Sequence, residues 1–262
     1  MNKSIANIKQ EFVDAKAIYE AQEYENTSMM EILLQQYGMD TRAGVQELIR
    51  KMKVYLEQIN EEKQRIYEMT TFEREYSRFQ YICGVDEVGR GPFAGPIVAG
   101  AVILPKDCHI LYLNDSKQIS ERKRELLYEK IMEKAVATGI GMVSPQEIDE
   151  FGLTRANQKA MTLAIENLKI QPDILLNDAV TLPGIDIKQV PIIKGDGKSI
   201  SIAAASIIAK VTRDRLMVEY DKVLPGYGFA GNKGYGAKEH IEALKKMGPT
   251  PIHRQSFIKN YI

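Results

Sequence analysis

Gly84-Val85-Asp86-Glu87-Val88-Gly89-Arg90-Gly91-Pro92-Phe93-Ala94-Gly95-Pro96 is the stretch on which the reading of this chain turns. Asp86 and Glu87 close a short apolar run of Tyr81, Ile82, Cys83 and Val85. Carboxylates at the end of a buried strand are costly unless a cation neutralises them, and a divalent metal is the usual one. The turn at Gly89-Arg90-Gly91 leaves main-chain N–H groups free to approach a phosphate, with a guanidinium beside them. Metal-binding acids next to such a turn point to phosphodiester chemistry. A second β-rich run, Ile97 to Leu104, follows, so the acids sit at a hairpin-like edge of a buried sheet.

Two plainer readings compete. A dinucleotide-binding turn needs Gly-x-Gly-x-x-Gly before a helix, whereas the third glycine here comes one residue later and Pro92 and Pro96 interrupt any helix. An Asp-Glu pair is also common in solvated loops, but the two apolar runs around this one argue against that.

At 262 residues and 44% hydrophobic, the chain holds one large domain or one domain with an appendage. No stretch approaches a membrane span, and no apolar signal stretch is expected at the N-terminus. Two cysteines, Cys83 and Cys108, make neither a disulfide framework nor a metal knuckle, so a cytoplasmic setting is expected. The formal charge is zero but unevenly placed: residues 181–262 carry 13 Lys and Arg against 7 Asp and Glu, and residues 1–72 carry 9 against 12.

Residues 1–75 are helical in pattern and lack proline. Ser28 is a candidate cap for a short helix. Asp40 or Thr41 is a candidate start for a long one carrying Val45, Leu48, Ile49, Met52, Leu56, Ile59 and Ile66, with Gly38 and Gly44 as punctuation. The expected organisation is a helical N-terminal extension, 1–75, and an α/β catalytic domain with a C-terminal helical region, 76–262. Strands are expected at 80–86, 97–104, 137–143, 173–178 and 189–193. Helices are expected at 120–134, with Ser120 as N-cap, and at 154–169, 200–221 and 237–247.

Two further acids stand where the first two need them. Asp178 ends the run Ile174-Leu175-Leu176-Asn177, and Asp196 follows Ile192-Ile193-Lys194-Gly195. Taken alone, either is more often a turn or cap residue. Together, four carboxylates from three strand ends fit a two-metal phosphodiesterase site, because ligands gather at strand ends in open α/β sheets. Adjacent strand residues point to opposite faces, so Asp86 and Glu87 share a site only if the strand ends or twists at Glu87. Asp115 is left outside the metal set. His109, His240 and His253 are scattered in sequence, and no Ser-His-Asp triad is expected.

These residues, with Asp115-Ser116-Lys117, Ser201 to Asp214, Lys233-Gly234-Tyr235-Gly236 and Pro251-Ile252-His253-Arg254-Gln255-Ser256-Phe257, resemble bacterial ribonuclease HII, a type 2 ribonuclease H. The resemblance runs from about Tyr81 to Phe257. Ribonuclease HIII typically carries lysine where Arg90 stands. The resemblance implies a ribonuclease H-like mixed sheet flanked by helices. It implies metal ligation by Asp86, Glu87, Asp178 and Asp196, with magnesium or manganese as cofactor. It also implies that Gly89-Arg90-Gly91 reads the 2′-hydroxyl and that Tyr235 stacks on the adjoining deoxyribose. The implied partners are RNA–DNA hybrids and duplex DNA containing single ribonucleotides, bound by a monomer away from membranes. Cleavage would fall 5′ of the ribonucleotide and leave 3′-hydroxyl and 5′-phosphate ends, the chemistry of ribonucleotide repair.

The alanines of 203–209 are expected to permit close helix packing and to contribute no chemistry. Lys210, Arg213 and Arg215 read as a solvated face. Lys117, Lys194, Lys198 and Lys233 are candidates for phosphate contact. Two rivals stand beside this reading: a hybrid-binding protein with a degenerate site, and a general DNA nuclease of the same fold.

Overall fold

Alternation and turn chemistry resolve as expected in the computed structural model, which describes residues 3–262. The chain divides into two compact units, up to Arg65 and from Ile66 onward. In the first, α1 (Ile5–Ala21) is capped by Ser4, whose hydroxyl accepts from the Asn7 N–H at 3.2 Å. Ile8, Phe12, Ala15 and Tyr19, at three- and four-residue steps, form its buried stripe. The next helix, α2 (Ser28–Tyr37), takes Thr27 as N-cap, and Ser28 is its first residue rather than its cap. In α3 (Ala43–Met69), the expected seam holds, with Val45, Ile49, Met52 and Ile59 buried. Gly44 lies inside its first turn and does not interrupt it.

The second unit continues through α4 (Thr71–Glu75), β1 (Ile82–Val88), β2 (Ile97–Ile103), α5 (Glu121–Lys134), β3 (Ala137–Val143) and α6 (Pro145–Phe151). After these come α7 (Leu153–Glu166), β4 (Ile174–Asp178), β5 (Lys188–Ile192) and α8 (Ile200–Val223). Three short C-terminal helices close the chain: α9 (Phe229–Asn232), α10 (Lys238–Met247) and α11 (Gln255–Ile258). The unanticipated α6 starts at a capping box, with Ser144 and Glu147 bonding each other's backbone and Pro145 in the first turn.

One five-stranded sheet runs in the order β3-β2-β1-β4-β5. The β3-β2-β1 pairs are antiparallel, and β1-β4-β5 are parallel. Pro191 is tolerated because β5 is an edge strand.

Small residues set the helix–sheet distance. A Cβ on Gly100 of β2 would meet the Ala205 carbonyl oxygen of α8 at 2.5 Å, and one on Gly141 of β3 would meet the Ala160 oxygen of α7 at 2.0 Å. The alanines of α8, fully buried at 203–205 and 209, serve packing as expected. Among the described residues, no helix is long and apolar enough to cross a membrane.

Candidate functional site

The parallel ladder between β1 and β4 ends at Val85 opposite Asn177, yet β1 runs on to Val88 against β2. Asp86 and Glu87 therefore stand where β1 has lost its neighbour on one edge, level with Asp178 at the end of β4. The strand does not stop at Glu87, contrary to the sequence expectation. The pleat is kept: Asp86 faces α8 near Ser206, and Glu87 faces α7 near Asn157. The ending of β4, rather than a twist in β1, lets two opposite-facing carboxylates address one region.

The electrostatics show the crowding. Asp86 is only 5% exposed, and burial, then Glu87 and Asp178, push its carboxyl well above the ordinary range. Glu87 is raised by burial against the opposing pull of Arg90, whose Nη1 lies 3.6 Å from Glu87 Oε1. Glu87 Oε2 is buried without a hydrogen-bond partner. Asp178 Oδ1 accepts from the Gly195 N–H at 2.7 Å, which ties β4 to the 3-10 turn Gly195–Gly197. That turn presents Asp196, 9% exposed and raised by burial, then Asp115 and Asp178.

Asp115, set aside from sequence, thus lies beside Asp196. It also shapes its own turn, Oδ1 accepting from the Lys117 N–H at 2.9 Å. Burial pulls the Lys117 ammonium down, but Asp115, Asp86 and Asp196 outweigh it and hold the group above its ordinary value. Ser206 donates to Ser116 Oγ at 2.9 Å, linking this turn to α8. Lys198 and Lys233 are turned onto main-chain carbonyls, of Ile193 and Ala230 respectively.

All four candidate ligands are carboxylates, so the donor set is hard oxygen, suited to Mg²⁺ or Mn²⁺. Among the described residues, no three His, Cys, Asp or Glu side chains are already drawn into a closed ion-binding group. Mutually repelled buried carboxylates and the unpaired Glu87 oxygen nevertheless mark a site short of positive charge, and these residues fit a divalent cation.

Beside the acids, the Gly89–Gly91 turn offers no main-chain N–H to any acceptor among the described residues. Arg90 and Gly91 are exposed. A Cβ on Gly91 would lie 4.0 Å from Tyr235 Cε1, and the Tyr235 ring is 41% exposed. The tyrosine is a surface group at the turn, not a core residue.

One sequence expectation is corrected here. Arg213 is fully buried, because α8 turns it toward the 89–96 segment, while Lys210 pairs with Asp214 at 2.7 Å and Arg215 with Glu125 at 2.5 Å. His240 and His253, distant in sequence, meet at 3.0 Å between their Nε2 atoms. Asn157, Arg213 and Arg254 are buried polar residues near these candidates that sequence reasoning did not single out: a buried polar residue carries no periodic signal.

The ribonuclease HII family model matches residues 83–260, and that of the ribonuclease HII N-terminal domain matches residues 4–77. The chain is 62% identical to a ribonuclease HII of Lachnoclostridium phytofermentans over 224 residues, covering 86% of this chain and 88% of that protein. It is 50% identical to that of Clostridioides difficile over 263 residues, covering 100% and 99%. Among solved structures, the ribonuclease H2 of Pyrococcus horikoshii superposes with a TM-score of 0.60 at 28% identity, covering 69% of this chain and 96% of that one.

Proposed function

The chain belongs to the ribonuclease HII family, and on that premise we propose that this ribonuclease H, a hydrolase acting on RNA in RNA–DNA hybrids, also cuts duplex DNA at single embedded ribonucleotides. The observation that carries the finer reading is the junction of Asp86, Glu87, Asp178 and Asp196 with a turn of unclaimed N–H groups and an exposed tyrosine.

Asp86, Glu87, Asp178 and Asp196 would hold two divalent cations, magnesium or manganese. Such cations supply positive charge at the scissile phosphate and make an attacking water more acidic. The chain's own residues do the rest. The N–H groups of Arg90 and Gly91 approach the sugar–phosphate backbone at the ribonucleotide, and the 2′-hydroxyl is what separates ribose from deoxyribose there. Tyr235 offers its ring to the neighbouring deoxyribose, fixing which side of the junction faces the carboxylates. Lys117, held cationic by the surrounding acids, receives a flanking phosphate. Attack on the phosphate 5′ of the ribonucleotide leaves 3′-hydroxyl and 5′-phosphate ends.

The test compares three substrates: a hybrid, a duplex with one ribonucleotide, and an all-DNA duplex, each with Mg²⁺, with Mn²⁺ and with chelator. Metal-dependent cutting of the first two alone supports the reading. Equal cutting of all-DNA duplex favours a general nuclease, and tight hybrid binding without any cutting favours a binding protein.

A further inference from the structure

Two buried guanidiniums stand behind the Gly89–Gly91 turn. Arg254 Nη2 donates to the carbonyls of Gly89 at 2.5 Å and Gly95 at 2.8 Å, Nη1 to Arg90 at 2.8 Å, and Nε to Gly95 at 3.0 Å. Arg213 Nε donates to Pro96 at 2.9 Å, Nη2 to Ala94 at 3.0 Å and Nη1 to Lys233 at 2.9 Å. Both side chains are 0% exposed, and all seven bonds go to main-chain oxygens. Among the described residues, neither has a carboxylate within ion-pair distance.

Burying a cation with no carboxylate in contact is expensive, and the seven hydrogen bonds to main-chain oxygens offset part of that cost. Peptide geometry indicates what the arginines add. A trans peptide sets its C=O and N–H on opposite sides. With the Gly89 and Arg90 carbonyls drawn inward to Arg254, the next N–H groups, those of Arg90 and Gly91, point outward. Gly89 has φ +89°, and a Cβ there would lie 2.4 Å from Arg213 Nε, so the turn rests directly on the guanidinium. Through the Lys233 carbonyl, Arg213 also holds the loop carrying Tyr235, with its guanidinium 5.9 Å from the ring centroid.

We propose that Arg254 and Arg213 are positioning residues for nucleic-acid recognition, which aim the Arg90 and Gly91 N–H groups and set the Tyr235 loop against them while placing two buried positive charges behind the phosphate-approaching turn. The proposal rests on the reading of Gly89–Gly91 as the substrate-gripping turn. Burial, with Arg213 beside it, pulls Arg254 down to about 9, which leaves it charged at neutral pH. A lysine keeps the charge but lacks the planar fork that spans three carbonyls.

The test uses the full chain and the variants Arg254→Lys, Arg213→Lys and Arg90→Ala. Three quantities are read: affinity for a fluorescent single-ribonucleotide duplex in chelator, kcat and KM with Mg²⁺, and the melting curve. The lysine variants should melt cooperatively, bind about ten-fold more weakly, show a KM about ten-fold higher and keep kcat near wild type, the scale of one lost charge-assisted hydrogen bond. A merely structural role would instead lower the active fraction, and so kcat, with KM unchanged; that result overturns the proposal. Failure of both lysine variants to fold assigns the pair to global stability and overturns it too. Weakened binding by Arg90→Ala beside wild-type affinity in both lysine variants overturns the positioning role alone. Equal affinity of the wild type for the single-ribonucleotide duplex and for an all-DNA duplex of the same sequence removes the substrate-turn reading, and the proposal falls with it.

Discussion

Asp86 carries a charge that the fold resists. Its folded pKa lies above the ordinary 3.8, so its contribution to stability is fully present below that value and is lost as pH rises through the folded pKa. At neutral pH without metal, the carboxyl is therefore a net cost to folding. Asp86→Asn should therefore melt higher than wild type in chelator at pH 7, while losing cleavage. Added Mg²⁺ should stabilise wild type more than the variant. A lower melting temperature in chelator, or wild-type turnover, would remove Asp86 from the ligand set. Tyr235→Ala should lower the cleavage rate on a single-ribonucleotide duplex by roughly ten-fold or more, the scale of a lost stacking contact, with the melting temperature nearly unchanged because the ring is 41% exposed. An unchanged rate, or a loss tracked by unfolding, would return the tyrosine to a structural role. At this scale the four candidate acids stand out in the sequence because Asp86, Glu87 and Asp178 close apolar runs and Asp196 follows one at a glycine turn. Asp115 does not, since its nearness to Asp196 depends on where two loops come to rest.

The elements with strong period were legible too: the five strands lie within two residues of expectation, and the four catalytic-domain helices within three. The loops after α8 were not, because side-chain pairing across the chain shapes them. His253 Nδ1 accepts from the Thr250 N–H at 2.9 Å, so its Nε2 carries the proton toward His240 Nε2, and His240 Nδ1 donates to the Tyr235 carbonyl at 2.8 Å. Both rings are satisfied only as neutral species. Burial, then His240, lowers His253 to about 4 from 6.5. A depressed folded pKa means that the unfolded chain takes up protons first. Stability should be full above about pH 6.5 and fall by on the order of 2–3 kcal/mol as pH drops toward 4. Urea melts from pH 7 to 4 on wild type and His253→Gln check this: the slope in that window should be smaller in the variant, and an identical slope would sink the neutral-pair account.

Over the whole molecule, the boundary of the N-terminal extension has energetic content. The compact catalytic unit begins at Ile66, and its core includes Ile66 and Met69 packed with Val102, Leu104 and Ile110. We propose that residues up to Arg65 are dispensable for the chemistry. A chain starting at Ile66 should fold and cut, whereas one starting at Thr71 forfeits two core side chains at about 2–5 kcal/mol each. Melting curves and cleavage rates for the two truncations decide it; a folded but inactive Ile66 chain would mean that the preceding helices complete the site. The sequence alone determined the α/β succession of strands and helices, the helical extension and the glycine turn, because period, capping and turn chemistry are local properties; the mixed sheet came only as what the family resemblance implied. Only the tertiary structure decided that Asp86 and Glu87 lie on opposite faces of β1, past the end of its pairing with β4. It also turned Arg213 from a supposed solvated face into a buried anchor and paired Arg254 with it behind the turn. The reason is physical: a local pattern records which residues are buried or turning, but hydrogen bonds between residues more than a hundred positions apart exist only once the sheet and its helices have packed.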